Sequence, residues 1–131
     1  MSSFLKKRLM NLTKKEIIII GNIVDKKFFF LKKKVINKKT CNFLIISELV
    51  KKKQILDLVK IFKKVYNEKF KFKLKIVGDG PEYDKINNYI LSNNIERNIF
   101  LLGIRNKKEI TNLLDKTDYL ISCSKVETFG I

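Results

Sequence analysis

The chain contains no histidine, so neither an imidazole general base nor a histidine metal ligand is available within its 131 residues. Its two cysteines, Cys41 and Cys123, lie far apart without paired spacing, which argues against a disulfide scaffold or a zinc site. No apolar run approaches the ~20 residues of a membrane-spanning helix. The longest purely aliphatic stretch, Ile17 to Ile20, reads as a short strand. The basic start at Lys6, Lys7 and Arg8 is not followed by a long apolar segment. No signal peptide is read there, and a cytoplasmic setting is expected. Acidic residues are few: 13 Asp and Glu stand against 29 Lys and Arg, a formal net charge of +16. Such a charge attracts phosphorylated ligands, an anionic membrane surface or nucleic acid. Arginine, the residue suited to bidentate base recognition, is scarce, and no aromatic platforms are interleaved with it. Nucleic acid is therefore not expected as a partner. Solvated lysine and attraction to the inner membrane face both remain open, since the lysines are scattered in runs such as Lys32–Lys34 and Lys51–Lys53.

What is present is a globular balance, 45% hydrophobic and 32% charged, in a chain with room for one domain. Ser2 to Asn11 reads as the end of a helix, and residues 26–40 as a lysine-rich linker. From there, apolar segments alternate with amphipathic ones. Phe43 to Ser47 reads as a strand. The stretch from about Lys53 to Tyr66 places Ile55, Val59, Phe62 and Tyr66 on one helical stripe. Phe72, Leu74 and Ile76 alternate with Lys73 and Lys75 in a second strand, broken by Gly78-Asp79-Gly80-Pro81-Glu82. Pro81 suits the first position of the next helix, which turns Tyr83, Ile86 and Ile90 inward. Ile99 to Leu102 closes on Gly103. Asn106 with Glu109 makes a capping-box-like start to a helix bearing Ile110, Leu113 and Leu114, and Tyr119 to Ser122 is the last strand candidate. Asp79 reads as a turn residue, and Asp115 and Asp118 read as solvated helix-end and loop carboxylates. Strands alternating with helices of this length imply right-handed βαβ units and an α/β, doubly wound, Rossmann-like parallel sheet.

In such a sheet, ligands sit outside the carboxyl ends of the strands. Five segments there resemble, in order, the C-terminal donor-binding domain of glycosyltransferase family 4. Asn22-Ile23-Val24-Asp25 with Phe29 resembles the family's N-G-V-D-x-x-x-F hinge, with Ile23 in place of Gly. Ile46-Ser47-Glu48-Leu49 with Lys53 lines up with V-G-R-L-x-x-x-K-G. Ile76-Val77-Gly78-Asp79-Gly80-Pro81-Glu82 matches I-V-G-D-G-P-E without a change. Phe100-Leu101-Leu102-Gly103 is the fourth match. Ser124 through Ile131 is similar to the S-x-x-E-x-F-G that opens the family's Glu-x7-Glu signature.

The resemblance implies the C-terminal half of a GT-B fold and retaining transfer of a sugar from a nucleotide-sugar donor to a glycan or lipid-linked acceptor. It implies a hinge segment over residues 1–40 and a partial donor domain over 41–131. It assigns Lys53 to the departing diphosphate, which gains negative charge as the glycosidic bond breaks. Glu127 would contact the transferred sugar. Phe129, Gly130 and Ile131 would form the loop whose backbone approaches sugar and phosphate, and Gly78 and Gly103 would line the strand ends. The chain departs from the family at Ser47, Glu48 and Gln54, where the family has Gly, Arg and Gly. A carboxylate at position 48 repels a nearby diphosphate. No metal or cofactor beyond the donor is expected. The second Glu of the signature would lie past Ile131, and no acceptor-binding domain is read in the sequence. The chain alone is therefore expected to be inactive. The alternative reading is a non-catalytic nucleotide-binding module that pairs with a separate N-terminal half.

Overall fold

The computed structural model describes residues 3–16, 18, 40–66 and 70–124. The chain divides into two compact units, Met1–Leu31 and Lys32–Ile131. In the first, helix α1 spans Ser3–Met10. The expected strand at Ile17–Ile20 and the hinge match at Asn22–Phe29 lie outside the described residues, apart from an exposed Ile18.

The second unit alternates strand and helix as its hydrophobic pattern requires. Strand β1 is Thr40–Ile46, α2 is Ile55–Val65, β2 is Lys71–Val77, and α3 is Tyr83–Ser92. They are followed by β3 at Ile99–Gly103, α4 at Lys107–Asp115, and a two-residue β4 at Tyr119–Leu120. All pairings are parallel, in the order β3-β2-β1-β4. The α/β, Rossmann-like parallel sheet expected from the sequence is the observed one. Among the described residues, no helix is long and apolar enough to cross a membrane.

The two faces of the sheet differ because β2 alternates. Phe72, Leu74 and Ile76 are buried, whereas Lys71 and Lys73 on the opposite face are exposed. In register with them, β1 contributes Ile45 and β3 contributes Ile99 to one core. Helix α2 supplies Ile55, Leu56, Val59 and Phe62 to this core, and α3 supplies Ile86 and Ile90. The helical stripe read from sequence thus holds at Ile55, Val59 and Phe62. At its end Tyr66 is 45% exposed but still sets its ring edge against Phe72, 5.7 Å between centroids. Helix α4 starts at the expected capping box: Asn106 Oδ1 accepts from Glu109 N, and Glu109 Oε2 accepts from Asn106 N.

Candidate functional site

The chain runs β1, β2, β3 toward one edge of the sheet, then crosses back to place β4 on the other side of β1. A parallel sheet whose strand order reverses opens a crevice at the carboxyl ends of the two strands flanking the reversal. Here that crevice lies between the segment after β1, Ser47 to Lys53, and the segment after β4, Ile121 to Ser124. The ends of β2 and β3 stand beside it.

Three strand ends are laced together by backbone hydrogen bonds. Ser47 N donates to Val77 O (3.0 Å), Leu49 N to Asp79 O (2.8 Å), and Glu82 N to Leu49 O (2.9 Å). Gly78 N donates to Gly103 O (2.9 Å). This lacing brings Gly78, at φ +137°, so close to β1 that a Cβ there would stand 1.9 Å from Ser47 O. Gly103, at φ +67°, has open space where its Cβ would be. Asp79 is a turn residue, as expected: its Oδ1 accepts from Gly80 N at 2.7 Å. Of the two glycines expected to line the strand ends, Gly78 is packed against backbone and Gly103 faces free space.

The segment carrying Lys53 is not the start of α2, as the sequence suggested. Val50 is extended, Lys51–Lys53 form a single 3-10 turn, and Gln54 adopts the left-handed conformation (φ 54°, ψ 30°) before α2 begins at Ile55. The turn intervenes because three consecutive lysines supply no side-chain cap, and none is formed at Val50 or Gln54. Left-handed backbone is unfavourable for a residue with a Cβ. Gln54 therefore carries strain at the position where the family motif has glycine. Lys53 is half-buried and Glu48 is exposed. Ser47 Oγ donates to Glu48 O at 3.1 Å.

The sequence reading missed a contact that joins the two sides of the crevice. Cys123 Sγ donates to Lys53 O at 3.0 Å, from a half-buried position packed against the core. No local pattern signals this bond, because it spans 70 residues and depends on the strand order. Asp118 also departs from its reading as a solvated carboxylate. Its Oδ2 accepts from both Asn42 N (2.8 Å) and Asn42 Nδ2 (2.9 Å), and its own N donates to Asn42 O (2.8 Å). The register that sets Phe43 opposite Tyr119 brings Asn42 and Asp118 together at the mouth of β4. Asp115 is exposed, as read. The candidate residues Glu127, Phe129, Gly130 and Ile131 lie outside the described residues.

Burial pushes the Cys123 thiol up from its ordinary 9.0; Asp57 adds to the rise, and Lys53 opposes it. The folded state therefore favours the neutral thiol. Its contribution to stability is full below pH 9.0 and is lost as pH rises through the higher folded value. Thermal unfolding followed from pH 8 upward is expected to show this loss in the native chain and its absence in Cys123→Ser. Parallel curves for the two proteins would contradict it.

An open cleft of about 590 Å³ lies away from the strand ends. It lies on the α4 face of the sheet, between Lys73, Lys75, Phe100, Leu102 and Lys116. It exists because β2 presents lysine stems there rather than core side chains; of the residues matched to the family it takes in Phe100 and Leu102 of β3, and neither Lys53 nor the glycines of the strand ends.

Comparison with known proteins agrees with this architecture. An uncharacterized glycosyltransferase of Methanocaldococcus jannaschii, MJ1178, is 30% identical over 131 residues, which is 99% of this chain and 34% of that relative. The N-acetyl-alpha-D-glucosaminyl L-malate synthase of Bacillus anthracis is 34% identical over 86 residues, 66% of this chain and 22% of the relative. Among solved structures, a variant of S. aureus TarM in complex with Fondaparinux, alpha-GlcNAc-glycerol and UDP superposes with a TM-score of 0.68 at 25% identity. That match covers 98% of this chain and 25% of TarM. The chain thus spans about a third or less of the length of these relatives. The model of the family described as glycosyl transferases group 1 matches residues 26–131, and the chain belongs to that family.

Proposed function

We propose that this chain forms part of the donor-binding half of a retaining glycosyltransferase of family 4 type, with residues 41–131 holding a nucleotide sugar and residues 1–40 serving as hinge. The observation that carries this reading is the placement of Lys53. It lies in the segment that leads from the carboxyl end of β1 into α2, beside the strand-order reversal, in a turn tied to the segment after β4. A diphosphate in that crevice would meet a cation from one side. From the other it would meet the chain leading to Glu127, Phe129 and Gly130, which are proposed to contact the sugar. Lysine charge, rather than a metal, offsets the charge developing on the leaving diphosphate. Ser47 and Glu48 flank the same site, and the exposed Glu48 carboxylate opposes anion binding. The glycan or lipid-linked acceptor would be presented by a separate acceptor-binding domain, and the +16 charge suits work at an anionic membrane face.

Calorimetric titration with UDP, GDP and their sugar conjugates tests the reading. Saturable binding that prefers one nucleotide is the expected result. Lys53→Ala should weaken it about ten-fold or more, the loss of one hydrogen bond between charged groups. Glu48→Gln should tighten it several-fold by removing a like charge. A folded chain that binds no nucleotide would overturn the proposal.

A further inference from the structure

Among the described residues, strand β4 is an edge strand of only two residues, Tyr119 and Leu120, and both are exposed, at 44% and 58%. So short a strand brings few ladder hydrogen bonds and little burial of its own to hold the segment that follows it. Yet that segment is half of the crevice. Two side-chain pins compensate, one on each side of β4. On the entry side Asp118 holds Asn42 through three hydrogen bonds, two to its carboxylate and one from its backbone N. On the exit side Ile121 N donates to Leu44 O at 2.9 Å, and two residues later Cys123 Sγ reaches Lys53 O at 3.0 Å.

We infer that Asp118 and Cys123 are positioning residues that act as one clamp: Asp118 fixes the register of β4 on β1, and Cys123 then fastens the segment after β4 to the backbone of Lys53. The inference rests on the donor-site reading above. Asp118 and Cys123 would not touch the ligand themselves; they act through Lys53. The Lys53 carbonyl that Cys123 engages belongs to the 3-10 turn, which leads directly into the left-handed Gln54. A strained turn of one repeat has few bonds of its own. Lys53 N to Val50 O (2.9 Å) and Gln54 N to Lys51 O (3.2 Å) are its backbone bonds. An added bond from across the crevice restricts where the Lys53 side chain originates, and so pre-orders the site before an anion arrives.

The test is nucleotide titration of the 131-residue chain carrying Cys123→Ala, Cys123→Ser, Asp118→Ala or Asp118→Asn, with amide hydrogen exchange across residues 50–56. Cys123→Ala and Asp118→Ala should each weaken binding about five- to ten-fold, as expected for losing a neutral or singly charged hydrogen bond. Cys123→Ser and Asp118→Asn, which keep a donor and an acceptor, should recover most of it. In a Lys53→Ala background, Cys123→Ala should weaken binding no further, whereas a merely structural role would lower it again. Exchange at residues 53 and 54 should quicken in the Ala variants and return toward normal in the conservative ones. Should Asp118→Ala fail to fold, Asp118→Asn and the Cys123 pair carry the test. If the native chain binds nucleotide and all four variants bind as it does, the clamp is overturned while the donor site stands. If the native chain binds no nucleotide, both fall together.

Discussion

Gly78→Ala is expected to cost on the order of 4 kcal/mol or more, enough to leave much of the chain unfolded at room temperature given typical stabilities of about 5–15 kcal/mol. Two costs add. The backbone sits at φ +137°, outside what a residue with a Cβ adopts readily. The new methyl would also stand 1.9 Å from Ser47 O and 2.9 Å from Ser47 C. Those atoms cannot move away cheaply, because Ser47 N is bonded to Val77 O and Leu49 N to Asp79 O. Relief of the clash would therefore separate β1 from β2 at the ends that build the crevice. Gly103→Ala is the control. It too has positive φ, +67°, but its Cβ meets nothing within 4 Å, so only the left-handed penalty of about 1–2 kcal/mol applies. Thermal melts should rank native, Gly103→Ala and Gly78→Ala in falling order, with about 15 °C or more between first and last. A Gly78→Ala chain melting within about 3 °C of the native one would refute the close approach.

The contrast between these glycines marks what a sequence can and cannot disclose. That Gly78 and Gly103 end strands was legible, because each follows an apolar run and precedes a helical pattern. Which of them is pressed against a neighbour was not, since that depends on β1 and β2 being adjacent with Ile46 opposite Val77. The α/β alternation, the buried face of β2 and the capping box at Asn106 all follow from local chemistry: period, polarity, and a side chain reaching three residues along. The clamp from Cys123 to Lys53 and the bonds from Asp118 to Asn42 join residues 70 and 76 positions apart. They arise only once the chain crosses back past β1. Lys53 was found through a motif, while its 3-10 turn and the strained Gln54 were not, because three lysines in a row fit a helix start as well as they fit a turn.

Phe72→Ala should be the costliest single truncation in the core, about 3–5 kcal/mol. Phe72 is 1% exposed at the centre of an aromatic group drawn from three elements and their flanks. Its ring lies edge-on to Phe62 at 4.9 Å between centroids, edge-on to Tyr66 at 5.7 Å, and tilted against Phe70 at 6.0 Å. Phe43 of β1 meets it at 6.5 Å. Edge-to-face pairs add about 0.5–1.5 kcal/mol each beyond the area they bury, and removing the central ring breaks them together. The void cannot collapse easily, because β2 is paired on both sides and its neighbours belong to helix α2 and strand β1. Phe72→Leu keeps most of the volume and should cost roughly 1.5 kcal/mol or less. Tyr119→Ala, which removes one stacked partner of Phe43 from a side chain 44% exposed, should cost less than Phe72→Ala. Denaturant unfolding of the three variants checks the order. This cluster, rather than the two-residue β4, is expected to supply the cooperativity of the sheet. Equal midpoints for Phe72→Ala and Tyr119→Ala would place the stabilising contacts at the edge instead, and would make β4 a structural strand in its own right rather than one held in place by its pins.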